Sequence, residues 1–115
     1  MPAKIAIEAE GQVLTVKHAR INATADGNNT VIAAVAAHKL LVLGFAFTVT
    51  AAGTVTFQDG VPTVYASFPL AANGGISYAG SLEAPAFEVA TGQPLVVNNP
   101  ATVDTLGFVT YVELP

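Results

Sequence analysis

Cysteine is absent from this 115-residue sequence, and charged residues are few. A chain without cysteine forms no disulfides, thiolate metal sites or thiol nucleophiles, which excludes zinc fingers and cysteine hydrolases. Charged residues make up 10% of the chain, whereas soluble domains have about a quarter. Only 4 of them are Lys or Arg, and the formal net charge is −4. This balance argues against free nucleic acid as a partner, because neutralising a phosphate backbone needs a clustered basic surface.

Targeting and membrane segments are also missing. The N-terminus reaches Glu8 before any apolar run of signal-peptide length, so we expect no secretion signal or lipid anchor and a chain that folds in a cytoplasm. The longest low-charge stretch, 40–58, is interrupted by Gly44 and Gly53, whereas a membrane helix needs about 20 apolar residues. We expect two strands and a turn there, and no membrane partner.

Hydrophobic residues, in contrast, make up 52% of the chain. A chain this short is expected to leave part of that apolar surface outside one small core, where another copy or a partner would cover it. Length and turn spacing predict one domain over 12–115. The preceding segment, 1–11, is a candidate contact arm that offers Ile5 and Ile7.

The dominant pattern is alternation of apolar and polar residues with a period of two, bounded by Gly, Pro, Asn and Asp. No window of a dozen residues sustains a capped amphipathic helix. The chain is therefore predicted to be all-β, a single-domain antiparallel β-sandwich of jelly-roll type with eight or nine strands. A first strand is predicted over 12–24, ending at the turn 26–29.

Alternation is clearest over 39–49, and there it predicts two faces. The core face is predicted to carry Leu41, Leu43, Phe45, Phe47 and Val49. The opposite face also lacks charge, so we expect a neighbouring subunit to cover it. The last strand, 103–114, alternates in the same way. The candidate subunit or capsid contacts are Ile5, Ile7, Leu40, Val42, Val109 and Tyr111.

Catalytic and metal-binding patterns are not recognisable in the sequence. His18 and His38 belong to no paired ligand motif and are interpreted as surface or subunit-contact residues. A jelly-roll metal enzyme would need several histidines and a carboxylate converging on one point. We therefore expect a protein that is not an enzyme and that binds no cofactor or metal.

Several segments together resemble short virion proteins of tailed bacteriophages, most of all capsid decoration, or cement, proteins. The residues that carry the resemblance are 30–36, 39–44, 69–75, 90–95 and 107–113. The resemblance implies a small β-sandwich that forms a homotrimer on the outer capsid surface of the virion. It further implies that the trimer binds the major capsid protein and stabilises the phage head, after synthesis in the host bacterial cytoplasm.

An alternative hypothesis is a tail-fibre or baseplate-associated module that binds host-surface glycans. Aromatic side chains can stack on the apolar face of a sugar ring. The candidate glycan contacts are Tyr65 and Tyr78.

Overall fold

The computed structural model describes the backbone of residues 6–9 and 12–115 and the side chains of residues 14–115. These residues form strands and no helix. The strands are β1 (Ala6–Ala9), β2 (Gln12–Thr15), β3 (Lys17–Ala23), β4 (Gly27–Ile32), β5 (Lys39–Val49), β6 (Gly53–Gln58), β7 (Val64–Leu70), β8 (Gly75–Tyr78), β9 (Phe87–Val89), β10 (Leu95–Asn99) and β11 (Thr105–Leu114).

Two antiparallel sheets form the body of the molecule. One has the strand order β4-β10-β6-β7, and the other has the order β3-β11-β5-β8, with β9 pairing with a further part of β5. Connections between consecutive strands cross repeatedly from one sheet to the other. The prediction of an all-β antiparallel sandwich is thus confirmed. The crossing order supports the finer assignment to the jelly-roll type, which stays a prediction.

The N-terminal strands differ from the sequence-based expectation. The stretch predicted as one strand over 12–24 is divided at Val16. β2 pairs with β1 in a separate hairpin, whereas β3 pairs with β11 at the edge of the sandwich. This hairpin spans the proposed boundary between segment 1–11 and the domain, so the boundary itself stays a prediction.

The core lies between the two sheets and is rich in aromatic rings. Phe45, Phe47, Phe57 and Phe68 form a cluster in which neighbouring ring centroids lie 5.2 to 6.0 Å apart. Close aromatic pairs of this kind stabilise a core by about 0.5–1.5 kcal/mol each beyond their buried area. These contacts stabilise the packing of one sheet on the other.

β5 contains a bulge at Leu43 that changes which residues face the core. Tyr111 of β11 pairs with Val42, and the preceding Thr110 pairs with Gly44, so Leu43 has no partner across this ladder. Strand side chains alternate with a period of two, and one unpaired residue inverts the alternation beyond it. Phe45 therefore faces the same side of the sheet as Val42.

The inverted alternation corrects the sequence-based face assignment. Leu40 and Val42 are completely buried in the main core together with Phe45 and Phe47, so they cannot contact another subunit. Leu41 belongs instead to a second buried cluster on the opposite side of the sheet. The prediction was wrong because a strict period of two was extended across the bulge.

Candidate functional site

The side of sheet β3-β11-β5-β8 that points away from the main core is called here the outer face. At one end of it the chain covers its own apolar residues. The second cluster consists of Leu14, Leu41, Leu43 and Val112, with Val16, Leu82 and Leu114 packed around it. Leu14 comes from β2, and Leu82 comes from the loop between β8 and β9. The sequence analysis assigned Leu41 and Leu43 to the core face, and the chain itself buries them on this side of the sheet without a neighbouring subunit.

The other end of the outer face keeps apolar side chains in solvent. Leu106 is 39% exposed and Phe108 is 48% exposed. They stand two residues apart on β11, so they point to the same side of the sheet. Ala46 of β5 pairs with Phe108 and is half-buried. These three residues, Leu106, Phe108 and Ala46, are called the outer patch.

Polar groups border the outer patch on the β3 side. Arg20 pairs with Phe108 across the ladder, and the ring of His18 approaches Phe108 edge-on with 6.5 Å between centroids. His18 Nδ1 and Thr110 Oγ1 form a hydrogen bond of 3.1 Å. An apolar centre with a polar border is the usual arrangement of a protein interface. The interpretation of His18 as a surface histidine agrees with this position.

The predicted contacts on β11 face the wrong way. Val109 is completely buried, and Tyr111 is 9% exposed; both belong to the main core. The sequence analysis placed contacts on this side, whereas the exposed side carries Leu106 and Phe108. Alternation alone gives two faces without saying which is inside, and both faces of β11 are apolar. Gly107 was a sequence signal for the inner face of β11. A glycine within a strand has no side chain, so it permits the close approach of another strand.

The two candidate arm residues lie where side chains are not described. Ile5 is outside the described residues, and Ile7 lies in β1, opposite Leu14 in the ladder. Their role as contacts stays a prediction.

The turn between β6 and β7 presents a second exposed apolar surface. Val61 is 69% exposed and Val64 is 57% exposed, which makes them the most exposed large hydrophobic residues that the structure describes. Residues 60–64 are all exposed and carry no charge. They are called the β6–β7 tip.

Asp59 fixes the backbone conformation of the β6–β7 tip. Its carboxylate, 1% exposed, accepts hydrogen bonds from the backbone N–H groups of Val61 (2.9 Å) and Thr63 (2.6 Å) and from the hydroxyl of Tyr65 (2.7 Å). Burial by itself raises the pKa of Asp59, but these three hydrogen bonds outweigh it and leave the pKa below its ordinary value. The group is therefore a buried carboxylate that stays ionised and anchors a turn.

Tyr65, a candidate glycan contact, has a structural role. Its ring is half-buried and stacks on Phe87 with 5.3 Å between centroids and 3° between planes. Its hydroxyl donates to Asp59 and accepts from the N–H of Ala90. Burial, followed by the hydrogen bond to Asp59, raises the pKa of the phenol. One face and the hydroxyl of this ring are thus occupied within the chain.

Between the two sheets, at the edge strands β7 and β8, lies a pocket of about 370 Å³. We call it the side pocket. It carries no charged side chain, and its lining consists of Phe45, Ala66, Phe68, Ile76, Ser77, Tyr78, Pro85, Ala86 and Phe87. Tyr78, the second candidate glycan contact, is 40% exposed at its mouth and donates its hydroxyl to the carbonyl of Ala84 at 2.9 Å. The sequence analysis missed this pocket because its residues are scattered over 45–87 and meet only in the sandwich.

Other charged and titratable side chains that the structure describes make separate contacts. Lys17 pairs with Glu113 and Lys39 with Glu88, each at 2.9 Å. His38 Nδ1 lies 3.0 Å from the carbonyl oxygen of Leu114. Among the described residues, no group of three His, Asp or Glu side chains could hold a metal ion. The expected lack of enzymatic activity and of a cofactor stays a prediction.

Comparison with known proteins gives one structural likeness. No family model and no curated protein matches this chain. A solved structure described by the words "Bacillus endospore appendages form a novel family of disulfide-linked pili" is similar over 97% of both chains, with 16% identity and a TM-score of 0.43. A likeness at this level assigns no function to the chain.

Proposed function

We propose that this chain is a structural virion protein, a decoration protein that forms homotrimers, binds the outer surface of a phage head and stabilises it. The observation that carries the proposal is the outer patch. Two large apolar side chains, Leu106 and Phe108, project side by side from a rigid sheet, although the same chain covers the apolar residues at the other end of that face. Contiguous exposed apolar groups on a soluble protein mark interaction sites.

The central strands of the sheet make the outer patch a suitable docking surface. β11 pairs with β3 on one side and with β5 on the other, so Phe108 is fixed in the middle of a sheet rather than on a loop. A preformed surface loses little conformational entropy on binding. The phage head, the trimer and the capsid partner come from the resemblance of segments 30–36, 39–44, 69–75, 90–95 and 107–113 to decoration proteins.

Binding to phage heads tests the proposal. Heads purified from the phage that encodes this chain, and stripped of it, are mixed with wild-type protein or with Phe108→Ser, and bound protein is measured after sedimentation. We expect at least a tenfold loss of binding for Phe108→Ser. The matched control is Phe57→Ser, which changes the same residue type at a completely buried position of the core and should act only through stability.

Imaging supplies an independent check of location. A subnanometre map of intact virions is expected to show clusters of three sandwiches on the head. Density at the tail alone, or wild-type binding by Phe108→Ser, would contradict the proposal.

A further inference from the structure

We propose that copies of this chain associate by inserting the β6–β7 tip of one copy into the side pocket of another. The inference rests on the self-association included in the proposed function, and it names the two surfaces that make the contact. The outer patch then stays free to bind a different partner.

The β6–β7 tip is rigid before it meets a partner. Asp59 accepts two backbone hydrogen bonds from within the turn, and its own N–H donates to the carbonyl of Thr63 at 3.0 Å. Tyr65 ties the same carboxylate to the loop after β9 through the N–H of Ala90. A turn fixed in this way needs no ordering on association, which lowers the entropy cost of binding.

The chemistry of the tip is unusual for a turn. Exposed turns are mostly built from Gly, Pro, Asn, Asp and Ser. Here Val61 and Val64 flank Pro62 and Thr63 in the sequence, and both valines are more than half exposed. Such a tip gains free energy when an apolar surface covers it.

The side pocket matches the tip in charge and in scale. Neither residues 60–64 nor the pocket lining includes a charged side chain, so their contact buries no unpaired charge. The pocket volume, about 370 Å³, is in the range of roughly 300–1,000 Å³ that accepts compact ligands. Because the matching tip is on this chain itself, the occupant is a second copy.

The contact joins two different surfaces. Contacts of this kind generate rings when the rotation closes, and a cyclic trimer requires them. A tip of five residues covers much less than the roughly 800 Å² per partner of a standard interface. A single contact is therefore expected to be weak and to depend on protein concentration, with ring closure adding stability through avidity.

Complementation between two variants tests the inference. Val61→Asp places a charge on the tip and leaves the pocket intact. Ala86→Leu fills the pocket and leaves the tip intact. Sedimentation velocity between micromolar and millimolar concentration is expected to show assembly of the wild type and at least a tenfold weaker assembly of each variant alone. An equimolar mixture should recover a dimer, because one intact tip then meets one intact pocket.

Matched controls separate a lost contact from a lost fold. Ala52→Asp adds a charge to another exposed turn, and Ala33→Leu enlarges an alanine that is exposed and does not line the side pocket; both should assemble like the wild type. All variants should keep the wild-type far-UV circular dichroism. A monomeric wild type, wild-type assembly by Val61→Asp, or a mixture no heavier than its components would overturn the inference.

Head binding distinguishes this inference from the proposed function. If Phe108→Ser loses head binding while Val61→Asp assembles normally, the tip contact is wrong and the decoration role stands. If mixing Val61→Asp with Ala86→Leu restores the dimer but wild-type protein does not bind phage heads, the tip contact is supported and the decoration role is wrong.

Discussion

The hydroxyl of Tyr65 donates a hydrogen bond of 2.7 Å to the carboxylate of Asp59, and this contact joins the start of β7 to the turn before it. The same hydroxyl accepts from the N–H of Ala90, beyond β9. One phenol therefore connects an exposed turn to the loop after β9.

Asp59→Asn is expected to destabilise the protein by about 1–3 kcal/mol, because an amide cannot accept hydrogen bonds from all three donors that converge on the buried carboxylate. The free energy of unfolding in urea measures the effect. Asp104→Asn is the control, since its half-buried side chain accepts no hydrogen bond among the described residues, and it should change stability by less than about 0.5 kcal/mol. Equal losses in the two variants would contradict the anchoring role.

Stability is expected to fall in acid partly through Asp59. The folded-state pKa of this carboxyl lies below its unfolded value, so the stabilisation is fully present above the unfolded pKa. It is lost as the pH falls through the lower, folded pKa. Urea unfolding at a series of pH values below 5 should show a steeper loss in the wild type than in Asp59→Asn. Asp104→Asn should keep the wild-type slope, and identical slopes for all three proteins would refute the assignment.

Gly107→Ala is expected to destabilise the sheet by about 3 kcal/mol or more, the upper end of usual overpacking costs. A Cβ at this position would overlap the carbonyl oxygen of Ala46 and lie 2.6 Å from the Cα of Phe47, both backbone atoms of β5. Gly27→Ala is the comparison, since its φ is +81° but no atom lies within 4 Å, so only the left-handed backbone costs about 1–2 kcal/mol. Thermal or urea unfolding measures the loss of stability in each variant. A larger loss for Gly27→Ala than for Gly107→Ala would contradict the close approach of β11 to β5.

Leu40→Ala is expected to cost about 2–5 kcal/mol, because Leu40 is completely buried in the main core. Leu106→Ala removes the same atoms from a side chain that is 39% exposed and should cost less than about 1 kcal/mol. Urea unfolding of both variants compares them directly. These two variants test which side of each strand is buried, because the sequence pattern alone predicted that Leu40 is a subunit or capsid contact.

Much of the fold follows from the sequence, and the strand faces show where the sequence stops being sufficient. Alternation locates β5 and β11 within a residue or two, whereas the turn predicted over 26–29 is wrong in its extent, because β4 begins at Gly27. The bulge at Leu43 has no comparable local signal, because an unpaired residue is defined by the register of its partner strand.

The site was harder to predict than the fold for the same physical reason. Whether Leu41 needs an external cover depends on Leu14 and Leu82, which approach it only after the chain has folded. Apolar composition predicts how much surface must be covered, but not which part of the same chain covers it. The outer patch and the side pocket likewise depend on which strands pair and where the sheet edges lie.

The unpaired Leu43 also limits how this molecule can change over evolution. Deleting a single residue near it would restore unbroken alternation and rotate half of β5, which would turn either Leu40 and Val42 or Phe45 and Phe47 away from the main core. Single side chains of β5 can be substituted independently. An insertion or deletion in β5, in contrast, requires a matching change in its pairing with β11. We therefore expect descendants of this gene to keep two residues between Val42 and Phe45 even where every neighbouring position has diverged.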